Sequence, residues 1–179
     1  MTRIRILKRE EMSAEQGRVY DEAKAANAPV GGPYYAYIRN PQLFTAAQIM
    51  GKTSGAFKLS ARERLIAVLT VCRFWNAGYP WGAQARNALS QGVDRAVIDA
   101  LNAGKTPDLS DPREAMAHKV AKELLTNKGL AQATYDEAER LFGTDDLVGL
   151  IAAVGQFSMV CCSANAFDIT PPPEFQKLL

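Results

Sequence analysis

The side chains able to move a proton or hold an anion gather at two places: the helix start Ser60-Ala-Arg-Glu63 and the stretch RFWNAGYPWGAQ at 73–84. Glu63 is a carboxylate that can relay a proton if it faces a cavity. It also has a structural use, because position N3 of a capping box returns its side chain to the Ser60 N–H. Tyr79 offers a phenol as a weak acid. Gln84 can donate and accept but carries no proton at neutral pH. These three form the candidate catalytic set. Arg73 lies in a mostly apolar run and needs an anion: Glu63, an acid from another helix, or a substrate carboxylate held bidentately. Trp75 and Trp81 make an aromatic wall at the corner. Tyr34, Tyr35 and Tyr37, behind Gly31-Gly32-Pro33, are placed to form a lid over it. Such rings also fill cores and subunit contacts.

Other chemistries are excluded. The single histidine, His118, rules out a His-rich metal site, and no metal or cofactor is expected. It falls among Asp111, Glu114 and Lys122 at helical spacing, so a solvated polar face is expected. Cys72, Cys161 and Cys162 are odd in number and contain no CxxC, so they read as small core hydrophobes. A redox reading stays open if Cys72 meets Cys161 or Cys162 across two packed helices. A net charge of +2 leaves no electrostatic footprint for nucleic acid or an anionic membrane. ALSQGVDRAVIDALNAG has helix-turn-helix spacing, yet it would present Asp94, Arg95, Asp99 and Asn102 to a groove that wants basic and amide groups. No apolar run reaches the roughly 18 residues of a membrane span, and the first residues lack a secretory core, so a cytoplasmic protein is expected.

The elements that must position these groups are helices, with no run alternating at period two. Ser13-Ala-Glu-Gln16 opens a helix to about residue 26. GGPYYAY breaks the chain. Asn40-Pro41 starts a helix to about residue 52. The helix behind Ser60 is apolar nearly all round and should be central and buried, ending near residue 75. Gly78 and Pro80 are expected to make the bend before a helix over 81–91. Asp94 and Asp111 cap two more helices. Another ends at Phe142-Gly143, and Thr144 caps a last, nearly uncharged helix that should also be buried. ERLIAVLTV and DDLVGLIAAV form a weak internal repeat, which implies two central helices stacked on each other. PPPEFQKLL is a tail that docks or frays.

LSARERLIAVLTVCRFWNAGYPWGAQARNALSQGVDRAVIDAL resembles the central region of the carboxymuconolactone decarboxylase and alkyl hydroperoxidase D-like superfamily. LVGLIAAVGQFSMVCCSANAFDITPPP resembles the last helix and terminus of its longer members. The resemblance covers roughly residues 35–173, with 1–35 as an extension to one all-α domain, and implies symmetric homo-oligomers such as trimers or hexamers. Peroxidase-type members carry CxxC and a histidine at the corner. Here the corner reads Ala77-Gly78-Tyr79-Pro80-Trp81, with Gln84 or Ala85 at the histidine position, so thiol peroxidase activity is not expected. The resemblance matches Glu63 to the family's proton-relay carboxylate. It implies a cofactor-free decarboxylase, lyase or isomerase acting on a small organic acid or lactone. The alternatives are a peroxidase relative with a degenerate thiol site and a non-catalytic oligomeric ligand-binding protein.

Overall fold

Capping chemistry sets the helix starts. The Ser13 hydroxyl accepts the Gln16 N–H at 3.3 Å while the Gln16 side chain accepts the Ser13 N–H at 2.9 Å. Ser60 and Glu63 repeat the exchange at 3.1 and 2.8 Å. Asn40 Oδ1 accepts from the Leu43 N–H at 2.9 Å, and Asp111 Oδ1 from the Arg113 N–H at 2.7 Å. Each satisfies an N–H that the helix itself leaves unpaired.

The computed structural model describes residues 2–53 and 56–177. After a 3₁₀ turn at Arg9–Glu11 come α1 (Ala14–Ala25), α2 (Tyr34–Tyr37), α3 (Pro41–Thr53), α4 (Ala61–Phe74), α5 (Gly78–Ser90), α6 (Arg95–Asn102), α7 (Pro112–Asn127) and α8 (Gln132–Ala166). There is no strand among the described residues.

α4 is the axis of the molecule. Leu65 to Leu69 are wholly inaccessible, and α4 packs against α5, α7 and α8. This main core runs through α4 to α8. A smaller core, built on Val19, Tyr37, Ile38 and Phe44, joins α1, α2 and α3. The expected stacking of the two repeat helices is the α4–α8 contact. α8 is one element with a break inside it: Gly143 takes φ 76°, ψ 161°, the joint expected between 142 and 144. Contrary to the sequence expectation, α8 is long and apolar enough to cross a membrane by length and composition, and 44% of its apolar window is buried inside the protein.

Two local expectations are corrected. GGPYYAY does not simply break the chain, since Tyr34–Tyr37 form a helical turn. Gly78 and Pro80 do not make the corner. Asn76 does, at φ 51°, a conformation asparagine tolerates, and its Oδ1 accepts from Arg73 Nη1 at 2.6 Å. α5 therefore starts at Gly78, and Pro80 sits in its first turn, where a missing N–H costs nothing. The tail docks: Asn102 Nδ2 donates to the Lys177 carbonyl at 3.0 Å, and Phe175 seats on Gly82, where a Cβ would meet the ring carbons. Its last two residues, Leu178 and Leu179, lie outside the described residues.

Candidate functional site

α5 and α8 form two walls of a cavity of about 620 Å³. Residues 26–34, the end of α3, the first turn of α4 and the C-terminal tail complete it. Its chemistry comes from Arg64, Tyr79, Gln84, Gln156 and Tyr34, with Phe175 as an apolar wall. Arg86 and Lys52 add positive charge. No carboxylate, imidazole or thiol lines it among the described residues.

Tyr79 is held from three sides. Its ring meets Phe175 edge-on at 5.5 Å between centroids. The Gly31-Gly32 loop lies against it so closely that a Cβ on Gly32 would fall 2.2 Å from the ring. Gly32 also has φ +64°, so both space and backbone demand glycine there. Burial pushes the Tyr79 phenol above its ordinary range, nearby Tyr35 adds to this, and Arg86 opposes it. The phenol is thus protonated at neutral pH and can donate. Tyr34 is likewise pushed up, first by burial.

Arg64 is the unusual member. It is partly buried, and burial alone lowers its affinity for the proton. Among the described residues its guanidinium has neither an ion pair nor a hydrogen bond. It also occupies the first turn of α4, where the helix dipole disfavours a cation.

The sequence candidates separate. Tyr79, Gln84 and Tyr34 meet at the cavity, and Tyr35 stands beside Tyr79 without lining it. Glu63 does not reach the cavity. It is 5% exposed and closed off by Arg113, whose Nε donates to Oε1 at 2.6 Å and Nη2 to Oε2 at 3.2 Å. With the Ser60 N–H on Oε2, both of its oxygens are occupied. Arg73 finds no carboxylate. Its Nε donates to the Asn102 carbonyl at 2.9 Å, which braces the corner to the end of α6. Trp81 is wholly buried in the core, and Trp75 packs against Phe74, so neither forms the wall. Rings on α5 alternate between core and cavity, and one sequence window does not show which is which. His118 is not solvated: it is 8% exposed, with Nδ1 2.9 Å from the Thr70 hydroxyl. Arg64, Gln156 and Phe175 went unrecognised in the sequence. The available signal for Arg64 was a second arginine in a helix turn that already had its acid.

Cys72 and Cys161 do meet, with sulfurs 3.9 Å apart, on α4 and α8. Both are fully buried, and burial pushes the Cys72 thiol well up. They lie in the core, away from the cavity.

In sequence, the chain matches no family model and no curated protein. Solved structures match it closely in shape. A peroxidase-related protein from Ralstonia eutropha JMP134, described as an alkylhydroperoxidase AhpD core, superposes with a TM-score of 0.77 at 17% identity, over 97% of this chain and 94% of that one. A peroxidase-related protein from Silicibacter sp. TM1040 gives 0.79 at 19%, over 97% and 93%. A debrominase in complex with 2,3,4-tribromopyrrole gives 0.77 at 18%, over 97% and 93%. The chain therefore has the all-helical alkyl hydroperoxidase D-like fold.

Proposed function

We propose that the protein is an enzyme acting on a small organic acid in the cavity between α5 and α8. One observation carries this reading: a partly buried arginine with no partner among the described residues lines, together with two protonated phenols and two amides, space enough for a small molecule. An unpaired guanidinium in such surroundings is stabilised by a ligand oxyanion, which it can hold with two parallel hydrogen bonds.

The lack of a base chooses among reactions. Isomerisation and elimination begin with proton abstraction, and no carboxylate, imidazole or thiol lines the cavity among the described residues to perform it. Decarboxylation of a β-keto acid needs no base. The bond to the carboxylate carbon breaks, its electron pair passes to the carbonyl oxygen, and carbon dioxide leaves. Arg64 stabilises the resulting enolate. Tyr79 gives its proton to the enolate carbon and regains one from water. Gln84 and Gln156 orient the carbonyl. Glu63 takes no part, because both its oxygens are committed to Ser60 and Arg113.

Carbon dioxide release from a panel of β-keto acids tests the reading. Tyr79→Phe should retain binding and make ketone formation lag behind carbon dioxide release, and Arg64→Gln should weaken binding about 10- to 100-fold. Carboxylate binding with no release from any β-keto acid rejects catalysis. The cavity then holds a ligand only, a second reading that the missing base favours. We also propose a homo-oligomer, trimer or hexamer. The support is the outward face of α8, where Val148 is 55% and Ile151 39% exposed. Analytical ultracentrifugation giving a monomer would reject it.

A further inference from the structure

His118 takes no part in the cavity described above, and its surroundings are unusual in their own right. The Thr70 hydroxyl donates to the Ile66 carbonyl at 2.8 Å, so its oxygen is left to accept from His118 Nδ1–H at 2.9 Å. With the hydroxyl proton on the Ile66 carbonyl, the imidazole proton is on Nδ1 and Nε2 carries a bare lone pair. Nε2 is buried and has no hydrogen-bond partner among the described residues. His118 lines two neighbouring cavities, of about 460 Å³ and 280 Å³, formed by α7 with residues 104–109 and with α4 and α6. Lys122 and Thr126 line both; Lys119 lines the larger and Lys105 the smaller. None of the three lysines is within ion-pair distance of a carboxylate among the described residues. Glu123, the acid of the larger cavity, is turned to the Ala131 N–H at 2.6 Å.

A buried acceptor without a donor calls for a ligand hydrogen, and the ammonium groups beside it call for negative charge. Water supplies only the first, and a fully ionised anion only the second. We propose that this cleft binds a phosphoryl group that still carries a proton, as inorganic hydrogen phosphate or a phosphate monoester, with its P–OH donating to His118 Nε2 and its charged oxygens facing Lys122 and its neighbours. This site is separate from the cavity assigned to catalysis.

His118 is the only histidine in the chain, so long-range ¹H–¹⁵N spectra of the imidazole report the site without ambiguity. Burial holds its pKa at about 4, so the ring stays neutral near pH 6.5 and shifts there do not reflect its own protonation. The free protein should show the Nδ1–H tautomer. Millimolar inorganic phosphate, methyl phosphate or both should move the Nε2 resonance. Whichever of the two acts identifies free phosphate or a monoester as the ligand. Sulfate, of similar shape and charge but without a proton, should leave Nε2 in place. Lys122→Gln should weaken the effective ligand about tenfold. The proposal is overturned by an Nε2–H tautomer, by no shift with either phosphate, by an equal shift with sulfate, or by unchanged affinity in Lys122→Gln.

Discussion

Arg62 and Arg64 stand two residues apart in the first turn of α4 and meet opposite surroundings. Arg62 turns to α7, where its Nε donates to Glu114 Oε1 at 2.5 Å, next to Arg113 bound to Glu63. On that face each carboxylate is matched with a guanidinium and each guanidinium with an acceptor. Arg64 turns to the cavity and finds none. The same residue type, at the same unfavourable end of the same helix, is thus a structural clamp on one face and an open charge on the other. Buried ionic groups that are mutually satisfied hold a fold together and bind nothing further. A charge left unsatisfied costs stability unless a ligand completes it.

Breaking the closed cluster should have the largest effect. Arg113→Ala leaves the Glu63 carboxylate buried beside a helix start with one partner fewer. It should lower unfolding free energy by about 3 kcal/mol in urea titrations, with ligand affinity in the cavity unchanged. A loss under about 1 kcal/mol would show that the clamp is not structural. His118 extends the contrast to a neutral buried group. Its pKa falls from 6.5 to about 4 on folding, so below pH 6.5 the unfolded chain takes up a proton that the native protein refuses. Stability should be level above that pH, decline as pH drops towards 4, and lose about 3 kcal/mol in all. His118→Gln should flatten this part of the profile, and an identical decline in the variant would assign it to other groups. Arg64→Gln should do the reverse of Arg113→Ala. Thermal stability should hold or rise slightly, while affinity for small carboxylates falls about 10- to 100-fold by calorimetry. A variant that unfolds readily yet binds normally would merge the two faces into one class. The smallest effect concerns the cavity wall. Gly32→Ala places a methyl against the Tyr79 ring at a left-handed φ, and should cost about 2 kcal/mol with a displaced tyrosine fluorescence.

Much of the fold was legible because its signals are local. Ser13, Ser60 and Asp111 cap through atoms two or three residues away, so their meaning is complete within one turn of chain. α4 was readable as central because it is apolar on every side. The bend was misplaced by two residues, since glycine and proline are stronger punctuation than an asparagine that takes a left-handed conformation. The site was half legible. Tyr79, Gln84 and Tyr34 were recognised as chemistry, and they do share a cavity. Glu63 fitted both a relay and a cap, and only Arg113, fifty residues away, decided between them.

The amino-acid order by itself determined where helices begin, which of them is innermost, and which chemistries lack their residues, because those depend on nearest neighbours and on composition. Tertiary structure alone decided that Arg64 lies at the cavity with no anion among the described residues, that His118 is enclosed rather than solvated, and that Phe175 returns to brace Tyr79. The reason is that partnership of a buried polar group is a property of space. Its free energy is set by atoms that chain distance does not predict.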